Sequence, residues 1–250
     1  MLNKVYNTKK LFFNKFLYCI SIPNGLAPIF RDKEYISARK ILDILHLAQD
    51  QRTNKEMHLS AFYLYKLPAW IHNNLQNELI TQDHLFDATV LFQALNDPNN
   101  DFKSRICWTN NTFSNFSESS TLRLYSNQKD KLLTICKKTR SLVDFYCPHK
   151  DNLEVLKSNP NTILCKKNDY KYKIVFNHKK ISNSFVTWYL KNKNKVKVSN
   201  QCLHDVKKYG NLDNRHILVR DENTLMVLNI ILQPNIRKIY HLVCSDNLDK

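Results

Sequence analysis

Glycine is almost missing: the 250 residues contain two, Gly25 and Gly210. A Walker-type loop or a Gly-x-Gly-x-x-Gly dinucleotide site needs clustered glycines to bring backbone N–H groups onto phosphate, so nucleotide-cofactor enzymes of those kinds are excluded and no cofactor is expected. Long apolar runs are missing too. Even Leu225 to Leu232 is interrupted by Asn229, so no span of a bilayer and no membrane partner is expected, and the chain reads as cytoplasmic. Lys4, Lys9 and Lys10 ahead of Leu11, Phe12 and Phe13 imitate the start of a signal peptide, but Asn14 and Lys15 cut its apolar core short and no small-residue cleavage site follows. The seven cysteines contain no Cys-x-x-Cys pair and read as reduced thiols. Cys147 and His149 have no second pair to complete a zinc site, so no metal is expected.

Acidic residues are also scarce, 22 against 38 lysines and arginines, for a net charge of +16. The excess concentrates between residues 129 and 197. A concentrated basic band is the footprint of a polyanionic partner, most commonly nucleic acid, either RNA or DNA. The composition offers a rival explanation. Richness in Lys, Asn, Ile, Tyr and Phe is what an AT-rich genome produces by codon bias, and most of the basic residues are lysine. Such a genome suits a phage, another virus or a mobile element, with the host cytoplasm as the compartment.

Two stretches of the chain match. Residues 14–22 (NKFLYCISI) and 168–176 (NDYKYKIVF) share the order Asn, x, aromatic, x, Tyr, x, Ile, x, apolar, a period-two strand pattern occurring twice. A looser echo follows each copy: strand, helix and strand over 122–127, 131–138 and 142–146, then again over 217–221, 225–232 and 236–243. This order predicts an α+β protein of two tandem ferredoxin-like (βαββαβ-type) units arising from an internal duplication. The first would span 1–150 with a helical insertion at about 54–97, and the second 162–250. Gly25, in the turn after the first strand, is expected to supply a positive φ, and Gly210 to end a helix at 201–209. The segment 225–232 reads as either helix or strand.

In the strand Tyr170 to Phe176, alternation places Tyr170, Tyr172, Ile174 and Phe176 on the core side and Lys171, Lys173 and Val175 on the other. The candidate nucleic-acid-binding residues are Lys166, Lys167, Lys171, Lys173, Lys179 and Lys180, which frame this strand, with Lys191, Lys193, Lys195 and Lys197, which share one face if their segment is extended. Aromatic stacking would fall to Trp108, Tyr125 or Tyr146. The competing reading of the alternating lysines is a solvated edge guarded against strand pairing. The Gly-and-aromatic signature of an RNA-recognition-motif strand is absent.

No catalytic residue is assigned. Asp205, Asp213, Asp221 and Glu222 are the carboxylates a metal-dependent nuclease could use, and His216 beside Arg215 or His178 beside Lys179 could serve metal-free RNA cleavage. Asp221 before Glu222 also reads as a helix cap. The favoured expectation is a non-enzymatic nucleic-acid-binding protein that holds phosphates with little sequence discrimination. Its alternatives are an endoribonuclease-like enzyme and a virion-associated protein whose partner is another protein.

Overall fold

The structure is a computed structural model that describes residues 2–31, 36–49, 66–76, 80–108, 120–166, 168–181, 183–210 and 215–245. Lys167, Asp213 and part of the expected helical insertion lie outside these residues. The chain is α+β, with two five-stranded mixed sheets and, among the described residues, eight α-helices. It divides into two compact units, Met1–Asn7 with Lys15–Cys147, and Thr8–Asn14 with Pro148–Lys250.

The sheet of the first unit has the order β1 (Leu2–Asn7), β5 (Val143–Cys147), β2 (Tyr18–Pro23), β4 (Ser120–Ser126), β3 (Lys103–Trp108). β1 runs parallel to β5, and the other pairs are antiparallel. Alternation sends Ile20, Ile22, Leu122, Leu124, Val143 and Phe145 to one face, where they are buried. That face is covered by α1 (Ile36–Gln49), α2 (Ala69–Gln76), α3 (Gln82–Asn96) and α4 (Lys129–Lys138), which contribute Leu45, Ile71, Leu85, Leu91 and Leu132. Helix α2 begins directly after Pro68, whose carbonyl accepts from Ile71 N at 2.9 Å. A reciprocal capping box starts α3: Thr81 Oγ1 accepts from His84 N and His84 Nδ1 accepts from Thr81 N. The turn after β2 departs from expectation. Gly210 is the one glycine with positive φ among the described residues, and after β2 it is Asn24 that shapes the chain, its Oδ1 accepting from Leu26 N at 2.7 Å.

The sheet of the second unit has the order β6 (Thr162–Cys165), β10 (Ile236–Cys244), β7 (Tyr172–Phe176), β9 (His216–Val219), β8 (Val196–Lys197). β6 and β10 are parallel and the rest antiparallel. Position for position, strand order and pairing sense equal those of the first sheet. Tyr172, Ile174, Phe176, Ile217 and Val219 face Phe185 and Tyr189 of α6 (Asn183–Lys191), Cys202 and Val206 of α7 (Asn200–Tyr209), and Leu228 and Leu232 of α8 (Glu222–Leu232). A short helix, α5 (Leu153–Ser158), precedes β6. Fully buried Phe176 and Phe185 each add about 1.5–3 kcal/mol of burial energy. Residues 8–14 lie along β6: Leu164 N donates to Lys9 O at 2.7 Å, Asn14 Nδ2 to Asn161 Oδ1 at 3.0 Å, and Leu11 is buried.

Helix α7 ends at Gly210, which takes the left-handed conformation with φ of 70°. The ambiguous segment 225–232 is helix. Asp221 caps it, accepting from Thr224 N at 2.8 Å and Thr224 Oγ1 at 3.0 Å, and Leu228 and Leu232 then fall on the core side. Asp221→Ala is therefore expected to cost the second unit about 1 kcal/mol in urea unfolding. The bonds from Thr224 hold the Asp221 carboxyl below the usual carboxylate range. The cap's contribution is accordingly complete above the unfolded-state value of about 3.9 and is lost as pH falls through the lower folded value.

Candidate nucleic-acid interface

On the sheet face opposite the helices, the second unit gathers positive charge around one aromatic ring. Strand pairing sets one row across the sheet: Lys197 on β8, Leu218 on β9, Lys173 on β7 and Tyr240 on β10. The next row is His216, Val175 and Lys238. Lys238 Nζ sits 4.9 Å from the Tyr240 ring centroid, and Lys10 Nζ, carried in by the segment along β6, sits 5.8 Å from it. Burial and then the charge of Lys10 pull both Lys173 and Lys238 below the usual lysine range. Burial and then Lys173 do the same to His216. No carboxylate among the described residues forms an ion pair with Lys10, Lys173 or Lys238. Lys173 and Lys238, each lowered by burial and then by Lys10 and without a counter-ion among the described residues, form with Lys10 a cluster that favours an incoming anion.

Of the ten lysines singled out from sequence, the structure brings Lys173 and Lys197 onto this face. Lys171 lies exposed just before β7, and Lys166 lies exposed just past β6. Lys179 and Lys180 are exposed in the loop after β7, pinned through their carbonyls, both of which accept from Asn235 Nδ2. The expected row of Lys191, Lys193, Lys195 and Lys197 on one strand face does not form. Lys191 ends α6, Lys193 and Lys195 lie in a turn closed by Lys195 N donating to Asn192 O, and Lys197 alone is in a strand. The helix runs too far into the segment for it to be extended. Tyr240, Lys238 and Lys10 were not legible as a group. A bulge between Ile236 and Lys238 inverts the alternation of β10, and Lys10 is distant in sequence.

The first unit repeats part of the pattern. Cys19 pairs with both Tyr125 and Tyr146, as Lys173 pairs with Leu218 and Tyr240, so Tyr146 and Tyr240 hold equivalent places. Arg123 then corresponds to His216, and Lys103 to Lys197. Of the aromatics considered for stacking, Tyr125 is buried and its phenol is pushed up to about 12, which leaves no face for a ligand. Tyr146 is half-buried, with its ring 4.9 Å from that of Tyr6 in a stack.

Two of the carboxylates considered for catalysis are engaged elsewhere. Asp221 caps α8, and Asp205 accepts from Arg215 Nε at 2.9 Å and Gln201 Nε2 at 2.8 Å. Among the described residues no three His, Cys, Asp or Glu side chains converge as metal ligands would. Burial raises the Cys19 thiol to about 12 and the Cys136 thiol to about 11, so neither is a nucleophile at neutral pH. No helix of the described residues is long and apolar enough to cross a membrane. No protein-family model matches the chain, and no curated protein or solved structure is significantly similar to it.

Proposed function

We propose that the chain is a nucleic-acid-binding protein that holds the phosphate backbone on the open sheet face of its second unit, through Lys10, Lys173 and Lys238, with Lys197 and His216 at the margins. The observation that carries this reading is the cluster of unpaired lysines around Tyr240. Mutual repulsion of this kind costs the free protein stability, and bound phosphates relieve it. A merely solvated lysine surface would spread its charges apart. The lysines are point charges without bidentate base contacts, so the reading entails weak sequence discrimination. It also takes the architecture as two ferredoxin-like units from an internal duplication, each with one added edge strand. The identical strand order and the matched register of residues 14–22 and 168–176 support that. In the first unit α2 and α3 would be the insertion, since the corresponding connection from β7 to β8 holds α6 alone.

The pH dependence of binding tests the site. His216 is held below the usual histidine range in the free protein. A phosphate beside it favours the imidazolium, so binding takes up a proton and tightens as pH falls. Affinity for a labelled oligonucleotide is expected to rise about three- to tenfold between pH 7.5 and 5.5, since each unit of pKa shift is worth about a factor of ten. His216→Ala should flatten that part of the profile. A wild-type profile with no His216-dependent rise would remove His216 from the interface.

A further inference from the structure

The sheet face of the first unit opposite its helices carries a second concentration of charge outside the lysine band. Arg105 on β3 pairs directly with Arg123 on β4. Residues opposed in this way have Cβ atoms about 4.5–5.5 Å apart, and like charges there oppose folding. Neither guanidinium forms an ion pair with a carboxylate among the described residues, and the half-buried Arg123 has an Nε atom that is shielded from solvent without a hydrogen-bond partner. Two arginines at directly opposed positions, one bonded to Tyr125 yet with its Nε donor unsatisfied, leave positive charge and a donor for an anion. Aromatic rings continue the strip. The Arg123 guanidinium lies 5.8 Å from the centroid of Tyr146, and Tyr6 of the edge strand β1 stacks on Tyr146 with an interplanar angle of 16°. The strip thus crosses the sheet from β3 to β1, basic at one end and aromatic at the other, and Tyr6 at the aromatic end is exposed.

We infer that Arg105, Arg123, Tyr146 and Tyr6 form a second binding site, and that its ligand is single-stranded nucleic acid. This rests on the reading of the chain as a nucleic-acid binder and extends it to a site and a strand class. The guanidiniums take a phosphate, and the exposed end of the tyrosine stack takes an unstacked base. A duplex offers the phosphate but keeps its bases inside, so it uses only half of the strip.

The test uses the full-length chain with Lys10→Ala, Lys173→Ala and Lys238→Ala, which removes the lysine cluster of the second unit. Labelled single-stranded and duplex oligonucleotides of equal length are titrated at low salt. Residual binding is expected to favour the single strand by about tenfold or more, as a stacked base is worth a factor of that order. Tyr6→Ala and Arg105→Gln, each added to this background, should weaken it about fivefold or more. Arg105→Gln also has a readout that a structural role would not give: with a repelling cross-strand charge gone, the melting temperature of the ligand-free protein should rise by about 1–3 °C. Loss of all binding in the lysine-free background, residual binding that ignores both substitutions, or equal binding of duplex would overturn the second site or its strand class while leaving the wild-type protein a nucleic-acid binder. Absence of wild-type binding to either oligonucleotide would overturn the functional reading and this site with it.

Discussion

Replacing Lys10, Lys173 and Lys238 together by alanine is expected to weaken nucleic-acid binding roughly 100-fold at 50 mM salt and to make the log–log salt slope shallower by about 3, one counter-ion for each phosphate that is no longer neutralised. The weakening should be nearly independent of sequence, because these side chains meet phosphates and not base edges. Stability should not fall with it. Burial and then the charge of Lys10 lower the proton affinity of Lys173 and Lys238, and none of the three has a carboxylate partner among the described residues, so removing them relieves repulsion. Fluorescence anisotropy with one labelled oligonucleotide across a salt series, together with a thermal melt, separates the two effects. Codon bias as the source of the charge entails the opposite pattern, since three lysines among so many would then be replaceable with little change.

The largest effect on stability is expected at Asp87. Its carboxylate lies fully buried on α3, where Oδ1 accepts from Arg140 N at 2.7 Å and Oδ2 accepts from Ser141 N at 2.9 Å. These two N–H groups belong to the connection that leads from α4 into β5, so the carboxylate ties a helix to the start of a central strand. Asp87→Ala leaves both donors without their acceptor beside a fully buried position and should cost about 3 kcal/mol. Urea denaturation measures it as a lower midpoint for the first unit, with the second unit's transition in place. Asp87→Asn keeps one acceptor oxygen and should recover part of the stability. A neutral Asp87→Ala would mean that the loop finds other acceptors.

Where side-chain alternation was strong, the sequence was readable. Tyr172, Ile174 and Phe176 are buried while Lys173 and Val175 are not. The first ten residues were not readable as strand. Every residue of β1 is exposed, so it carries no buried face to produce a pattern, and Lys4, Lys9 and Lys10 with the following Leu11 and Phe12 resembled a leader. The α8 segment was ambiguous because Val227, Ile230 and Ile231 favour strands; Asp221 and the spacing of Leu228 and Leu232 decide for helix. The interface was legible only in part. Lys173 follows from alternation. Tyr240 and Lys238 depend on the β10 bulge, and Lys10 on a chain path that places residues 8–14 with a unit otherwise built from the C-terminal half. Such path-dependent neighbours leave no local signal. Of the carboxylates near 205–222, Asp221 was legible as a cap, whereas the bond of Asp205 to Arg215, ten residues away, was not.

The most direct test of the central claim is the affinity of the purified, full-length protein for labelled single-stranded and double-stranded RNA and DNA over a salt series, with the products run on a denaturing gel. The account requires binding that weakens steeply with salt, with a log–log slope corresponding to roughly four or more neutralised phosphates, and intact oligonucleotide on the gel. Absence of binding at the lowest salt would contradict it and would return the lysine cluster to a solvated surface. Cleaved product would contradict the non-enzymatic reading and make His216, at the margin of the interface, the first group to replace.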